Sequence, residues 1–86
     1  MPEISRFYGI IITMYYNDHN PPHFHARYGN DVIMVEIENL KILEGSFPNR
    51  ASIMVLEWAK YNQNKLLKNW ENIRNEKPVF KIDPLD

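Results

Sequence analysis

Hydrophobic and β-branched residues dominate the first half of the chain and tend to recur at every second position. On this basis, strands are predicted over 6–16, 23–28, 32–37 and 40–44, separated by runs of turn-forming residues. Alternation of Val, Ile and aromatic side chains with smaller or polar ones is typical of half-buried β-strands. The connections are too short for parallel crossovers, so we predict an antiparallel sheet of three or four strands.

The second half of the chain changes to a helical period. The apolar face of a helix over 50–61 consists of Ala51, Met54, Val55, Trp58 and Ala59. After a weaker stretch at 62–64, helical spacing resumes and continues to about residue 75 through Leu66, Leu67, Trp70 and Ile73. This spacing predicts two C-terminal helices with the two tryptophans as core anchors. Pro78 prevents continuation, and 79–82 is predicted as a short edge strand.

Strands followed by helices indicate an α+β fold with two layers, in which the two C-terminal helices cover one face of the small sheet. At 86 residues the chain fits a single domain, 1–86. Alternation along 23–28 assigns Phe24 and Ala26 to the covered face. We expect His23, His25 and Arg27 on the opposite, open face.

The amino-acid composition excludes several kinds of site and binding partner. The chain has no cysteine, which excludes disulfides and thiolate metal sites, and its formal net charge is −1. The basic residues of the second half are interleaved with glutamates, a mixture typical of a solvated helix face, so nucleic-acid binding has little support. We see neither a signal-peptide pattern nor an apolar run of membrane-spanning length, and we expect a cytoplasmic protein without a membrane partner.

All three histidines fall within one seven-residue stretch, at positions 19, 23 and 25. Imidazole is the commonest protein metal ligand and titrates nearest neutrality. Because His23 and His25 stand at i and i+2 of a predicted strand, both rings can reach one divalent ion such as zinc. Candidates for a third ligand are the loop residues Asp18 and His19 and the strand residues Glu36 and Glu38.

The same residues also permit other roles. Without a metal, His23 and His25 can act as general base and general acid, while Arg27 stabilises an anionic transition state, an arrangement suited to RNA cleavage. Alternatively, the histidines close the loop by bonding backbone carbonyls, or they form part of a partner-binding surface. Metal binding, acid–base catalysis and a structural role all remain open at this point.

Several segments give the chain a family resemblance. The segment 15–26 has the sequence Tyr-Tyr-Asn-Asp-His-Asn-Pro-Pro-His-Phe-His-Ala and follows Ile-Ser-Arg-Phe-Tyr-Gly-Ile at 4–10. Together with Leu-Glu-Gly at 43–45, Leu-Glu-Trp-Ala at 56–59 and Asn-Trp at 69–70, these segments resemble a small bacterial family known as domain of unknown function 4160. The resemblance covers nearly the whole chain, and its Asp-His-x-Pro-Pro-His-Phe-His core is specific.

The resemblance implies a bacterial, cytoplasmic protein and carries over no established catalytic residue. Family members commonly lie beside another small uncharacterised family, which implies a toxin–antitoxin-like module with a small cognate partner protein. We therefore expect a component of such a module, with ribonuclease-type acid–base chemistry at His23, His25 and Arg27 as its mechanism. The alternative is a metal-binding protein or metallohydrolase that uses Asp18, His19, His23 and His25. Exposed sheet edges also favour a homodimer.

Overall fold

A five-stranded antiparallel sheet followed by two helices forms the fold in the computed structural model, which describes residues 2–16 and 18–86. The elements are β1 (Glu3–Phe7), β2 (Ile10–Thr13), β3 (His23–Tyr28), β4 (Asp31–Glu36), β5 (Lys41–Gly45), α1 (Asn49–Tyr61) and α2 (Gln63–Arg74). Each strand pairs antiparallel with the next, so the sheet order follows the chain. The α+β class and the two C-terminal helices are confirmed, whereas the sheet has five strands instead of the predicted three or four.

The additional strand arises because 6–16 folds as a hairpin rather than as one strand. Phe7 of β1 pairs with Ile10 of β2, leaving Tyr8 and Gly9 as a two-residue turn. The φ angles of these two turn residues are 48° and 80°. Positive φ at both central positions gives a type I′ turn, whose twist matches that of the flanking strands. Glycine adopts such angles readily, and Gly9 therefore marks the turn.

The helices cover one face of the sheet and complete the core. Trp58 of α1 is 1% exposed, and its ring centroid lies 5.3 Å from that of Phe7 and 5.9 Å from that of Phe24. Ile10, Ile12 and Val35 of the sheet are fully buried in the same cluster. Trp70 of α2 is also buried, which confirms both tryptophans as core residues.

A short break at Asn62 separates the two helices, as the weakened pattern over 62–64 predicts. The Asn62 side-chain amide donates to the carbonyl of Trp58 at 2.8 Å, and Gln63 Nε2 donates to the carbonyl of Ile37 at 2.9 Å. The first bond caps the end of α1, and the second attaches the start of α2 to the residue that follows β4. Among the described residues, neither helix has the length and apolarity needed to cross a bilayer.

The C-terminal segment packs on the core without forming the strand predicted for 79–82. One backbone bond reaches β1, from the Ile82 N–H to the Ile4 carbonyl at 2.9 Å. The backbone N–H and carbonyl of Phe80 instead bind the side chain of Asn69 on α2, at 3.0 and 2.9 Å. Because a helix side chain takes these backbone groups, the segment adds no continuous ladder to the sheet.

Candidate metal centre

The loop before β3 and the first residues of β3 bring three of the predicted site residues together. Asp18 comes from the loop, and His23 and His25 come from the strand.

The far end of the loop is fixed by a bond from the Ile37 N–H to the Pro22 carbonyl at 3.0 Å. Its middle is held to α2 by a bond from Arg74 Nη1 to Asn20 Oδ1 at 3.2 Å. Asn17, predicted as the first loop residue, lies outside the described residues.

One carboxylate oxygen lies close to both imidazoles. Asp18 Oδ2 is 3.1 Å from His25 Nε2, with which it forms a hydrogen bond, and 3.2 Å from His23 Nε2. One potential ligand atom from each of the three residues lies within 4.8 Å of the other two. The cluster therefore contains two nitrogens and one oxygen that face a common point.

His23 presents an unpaired nitrogen to this point. Its Nδ1 is 2.7 Å from the carbonyl oxygen of Pro21. Because a carbonyl oxygen can only accept, Nδ1 carries the proton, and in the neutral ring Nε2 is left with a lone pair. Nε2 is buried and has no hydrogen-bond partner among the described residues, since its contact with Asp18 lies within ion-pair distance but lacks hydrogen-bond geometry. A lone pair beside a carboxylate oxygen is a site for a cation.

Aromatic rings fix the orientation of both imidazoles. The His23 ring centroid lies 5.1 Å from that of Trp70 and 5.3 Å from that of His25. On the other side, Tyr15 meets His25 edge-on, with ring centroids 4.5 Å apart. These contacts and the Pro21 carbonyl leave the two rings little freedom to turn away from Asp18. Preorganisation of this kind holds ligands in place before a metal binds.

The prediction that His23 lies exposed on the open face of the sheet is wrong. His23 is only 4% exposed, because Trp70 of α2 covers the first residue of β3. His25 is partly buried and Arg27 is exposed, as expected for positions that face away from Phe24 and Ala26. The two histidines still share one cluster, since their Nε2 atoms both lie beside Asp18.

The remaining predicted residues lie around the cluster rather than in it. His19 is exposed and lines, with Asp18 and His23, a hollow of about 360 Å³. Glu36 accepts a hydrogen bond from Asn39, and neither it nor Glu38 belongs to the clustered ligand atoms of the described residues. Arg27 lines a separate groove of about 240 Å³, which His25 also borders.

The expectation that a histidine bonds a backbone carbonyl of the loop is confirmed by His23 and Pro21. Sequence reasoning did not assign two supporting rings, those of Trp70 and Tyr15, to the cluster. Tyr15 lies near the histidines in the sequence. The role of Trp70 depends on how α2 crosses the end of the sheet, and helical periodicity says nothing about that packing.

The fold and the cluster define the class of protein: a small α+β domain with an Asp–His–His group at one end of its sheet. The family model described as Domain of unknown function (DUF4160) matches residues 9–71, and the chain belongs to this family. The matched segment contains Asp18, His23 and His25 as well as Trp70. Comparison with curated proteins found no significant match, and comparison with solved structures also found none.

Proposed function

We propose that this protein binds one divalent transition-metal ion, with zinc as the first candidate, through Asp18, His23 and His25. The unpaired, buried Nε2 of His23 is the observation that carries the proposal. A buried polar atom without a partner costs free energy, and coordination of a cation removes that cost. The Nδ1–H bond to a backbone carbonyl also matches the support that metal-binding histidines commonly have.

The distances suit a single ion. Zinc binds His nitrogen and carboxylate oxygen at about 2.0 to 2.2 Å, so two neighbouring ligands stand about 2.8 to 3.6 Å apart for angles between 90° and 109°. The separations of Asp18 Oδ2 from the two Nε2 atoms, 3.1 and 3.2 Å, fall in this range. Because Asp18 Oδ2 can only accept, His25 Nε2 carries a proton in its hydrogen bond to this oxygen, and the ion must displace that proton when it binds.

Three protein ligands leave at least one coordination position for water or substrate. This is the arrangement of catalytic rather than structural zinc sites, and two histidines with one carboxylate also suit other divalent metals such as iron. A bound ion of this type lowers the pKa of its water toward neutrality. A hollow lined by Asp18 and His23 and a groove lined by His25 border the cluster. The finer proposal is therefore a metallohydrolase centre.

Isothermal titration of chelator-treated protein with zinc tests the metal proposal. We expect one ion per chain, and we expect Asp18→Asn and His25→Ala to weaken binding by more than about 100-fold, beyond the 10- to 100-fold typical of supporting residues. His19→Ala is the matched control, because His19 is an exposed histidine of the same loop outside the cluster. It should bind zinc like the parent protein.

Two results would count against this assignment. One is the absence of zinc binding by a folded parent protein. The other is equal loss of binding in His19→Ala and His25→Ala, which would place the ion in the loop instead of the cluster. Circular dichroism of each variant verifies that the loss is not a loss of fold.

Metal-free acid–base catalysis is a second candidate, supported by the hydrogen bond between Asp18 and His25. A carboxylate that orients an imidazole is the usual support for a general base, and Arg27 borders the same groove as His25. This candidate predicts RNA cleavage that persists in excess chelator and disappears in His25→Ala. Cleavage that requires added zinc would contradict it.

The two-protein module stays a prediction, with the outer edge of β5 as the surface that best supports it. β5 is the last strand of the sheet and pairs only with β4 among the described strands. An unpaired edge can accept a strand from a cognate partner or from a second copy of the chain. Growth arrest on expression, relieved by the neighbouring gene product, would support a toxin role. A monomeric mass at high concentration would contradict the homodimer.

A further inference from the structure

We propose that the groove beside His25 binds a phosphate-monoester group, held between the ion of the proposed metal centre and the guanidinium of Arg27. The inference rests on the proposed metal site and adds to it the chemical class of the substrate. It depends on the charges that line the groove, on the spacing between His25 and Arg27, and on the size of the groove.

The groove lies on the open face of the sheet. His25 and Arg27 of β3 border it, together with Thr13 of β2 and Tyr15 just after β2. Its volume is about 240 Å³, below the roughly 300 to 1,000 Å³ of most small-molecule pockets. A groove of this size accommodates one small polar group with part of what is attached to it.

Arg27 supplies the free positive charge of the groove. Arg6 also lines it, but its guanidinium lies 2.7 Å from Glu3 Oε1, and Lys81 lies 3.7 Å from the other oxygen of the same carboxylate. The hydrogen bond from Arg6 holds the pKa of Glu3 below its usual value and raises the pKa of Arg6. Arg27 forms no ion pair with any residue of 2–16 or 18–86.

The spacing allows one oxyanion to contact both the ion and the arginine. His25 and Arg27 are at i and i+2 of a strand, about 6.6 to 6.8 Å apart along one face. In one bound phosphate, one oxygen would lie about 2.1 Å from the zinc ion and another about 2.8 Å from the guanidinium. The separation of the zinc ion and the guanidinium that these two contacts allow is of the same order as the spacing of His25 and Arg27. A guanidinium also binds two oxygens of a phosphate or carboxylate at once.

Charge favours a phosphate monoester over a carboxylate. A divalent ion bound by one aspartate and two neutral histidines has a net charge of +1, and Arg27 adds a second positive charge. A phosphate monoester carries about −1.5 to −2 near neutral pH and balances this pair, whereas a carboxylate carries only −1. Glu3 is the acidic residue that lines the groove, and its carboxylate is already paired with Arg6 and Lys81.

Titration of the zinc-loaded protein with phenyl phosphate tests the inference, with benzoate as the carboxylate comparison. We expect phenyl phosphate to bind more tightly than benzoate. Arg27→Gln should weaken phenyl phosphate binding by about tenfold or more, the usual effect of losing a charge-assisted hydrogen bond. Arg50→Gln is the matched control, because Arg50 is an exposed arginine of α1 outside the groove. This variant should bind phenyl phosphate with the same affinity as the parent protein.

The zinc stoichiometry of each variant separates the two claims. If Arg27→Gln holds one zinc per chain and still binds phenyl phosphate like the parent, the anion site is wrong while the metal site stands. Absence of phenyl phosphate binding by the zinc-loaded parent, or tighter binding of benzoate, overturns the inference in the same way. If the parent protein binds no zinc, both proposals fail together.

Discussion

At the scale of single residues, His23 shows how one imidazole can serve both fold and site. Its Nδ1 donates to the Pro21 carbonyl, its ring packs against Trp70, and its Nε2 faces Asp18. The first two contacts belong to the fold and the third to the candidate site. Burial of the ring keeps Nε2 away from bulk water, so the nitrogen gains a partner for its lone pair only when a cation enters the cluster.

At Gly45, both a positive φ and a neighbouring backbone atom oppose a side chain. Its φ is +83°, and a Cβ there would lie 2.0 Å from the carbonyl oxygen of Val32. We predict that Gly45→Ala lowers the free energy of unfolding by more than about 2 kcal/mol, because it combines a backbone clash with a left-handed conformation that alone costs about 1 to 2 kcal/mol. Urea unfolding followed by circular dichroism measures the change.

Gly29 provides the control for this prediction. Its φ is +61°, but a Cβ there would meet nothing within 4 Å. Gly29→Ala should therefore lose only the conformational part, about 1 to 2 kcal/mol. Equal losses in the two variants would show that the Val32 contact has no effect.

At the scale of elements, α2 joins the C-terminal segment to the sheet through one buried side chain. Asn69 is fully buried, and its amide binds both backbone groups of Phe80. This position orders the segment that places Ile82 in the core and brings the Asp83 carbonyl to Trp58 Nε1 at 2.8 Å. A polar residue is thus central to the packing of an apolar cluster.

We predict that Asn69→Ala lowers the free energy of unfolding by roughly 2 to 4 kcal/mol. The substitution removes two hydrogen bonds and leaves the backbone groups of Phe80 without their partner, each worth about 1 to 3 kcal/mol when buried. Asn72→Ala on the same helix is the control, since the change in helix propensity is the same and no side-chain bond of Asn72 is present among the described residues. Urea denaturation of both variants gives the comparison, and equal losses would refute a special role for Asn69.

At the scale of the whole molecule, the cluster takes its three ligands from one short segment, 18–25, but their arrangement depends on distant α2. Arg74 of α2 binds the loop that carries Asp18, and Trp70 of α2 covers His23. Because these contacts exist only in the folded chain, metal binding should stabilise the folded state.

The corresponding prediction is a rise in melting temperature with zinc. At a free zinc concentration 100 times the dissociation constant, the stabilisation is about 2.7 kcal/mol. For a domain of this size that corresponds to a rise of roughly 10 to 20 °C. Differential scanning calorimetry should show the rise in the parent protein and not in Asp18→Asn. An equal rise in both proteins would mean that zinc binds elsewhere.

The fold class, both helices, the tryptophan core and the grouping of the site residues follow from periodicity and local spacing. The hairpin at Tyr8 and Gly9 was missed because apolar alternation continues through the turn, and only the backbone angles reveal it. Burial of His23 was missed because it depends on Trp70, 47 positions away along the chain. Long-range packing of this kind leaves no periodic signal in the sequence.

A crystal structure of the zinc-loaded protein, with anomalous data collected at the zinc edge, is the decisive test of the Asp18–His23–His25 metal centre. We expect one strong peak per chain about 2.0 to 2.2 Å from an Asp18 carboxylate oxygen and from Nε2 of both His23 and His25. His23 Nδ1 should still donate to the Pro21 carbonyl. A peak bound by His19 instead, or no peak at this cluster in protein that has taken up zinc, would show that these three residues do not bind the ion.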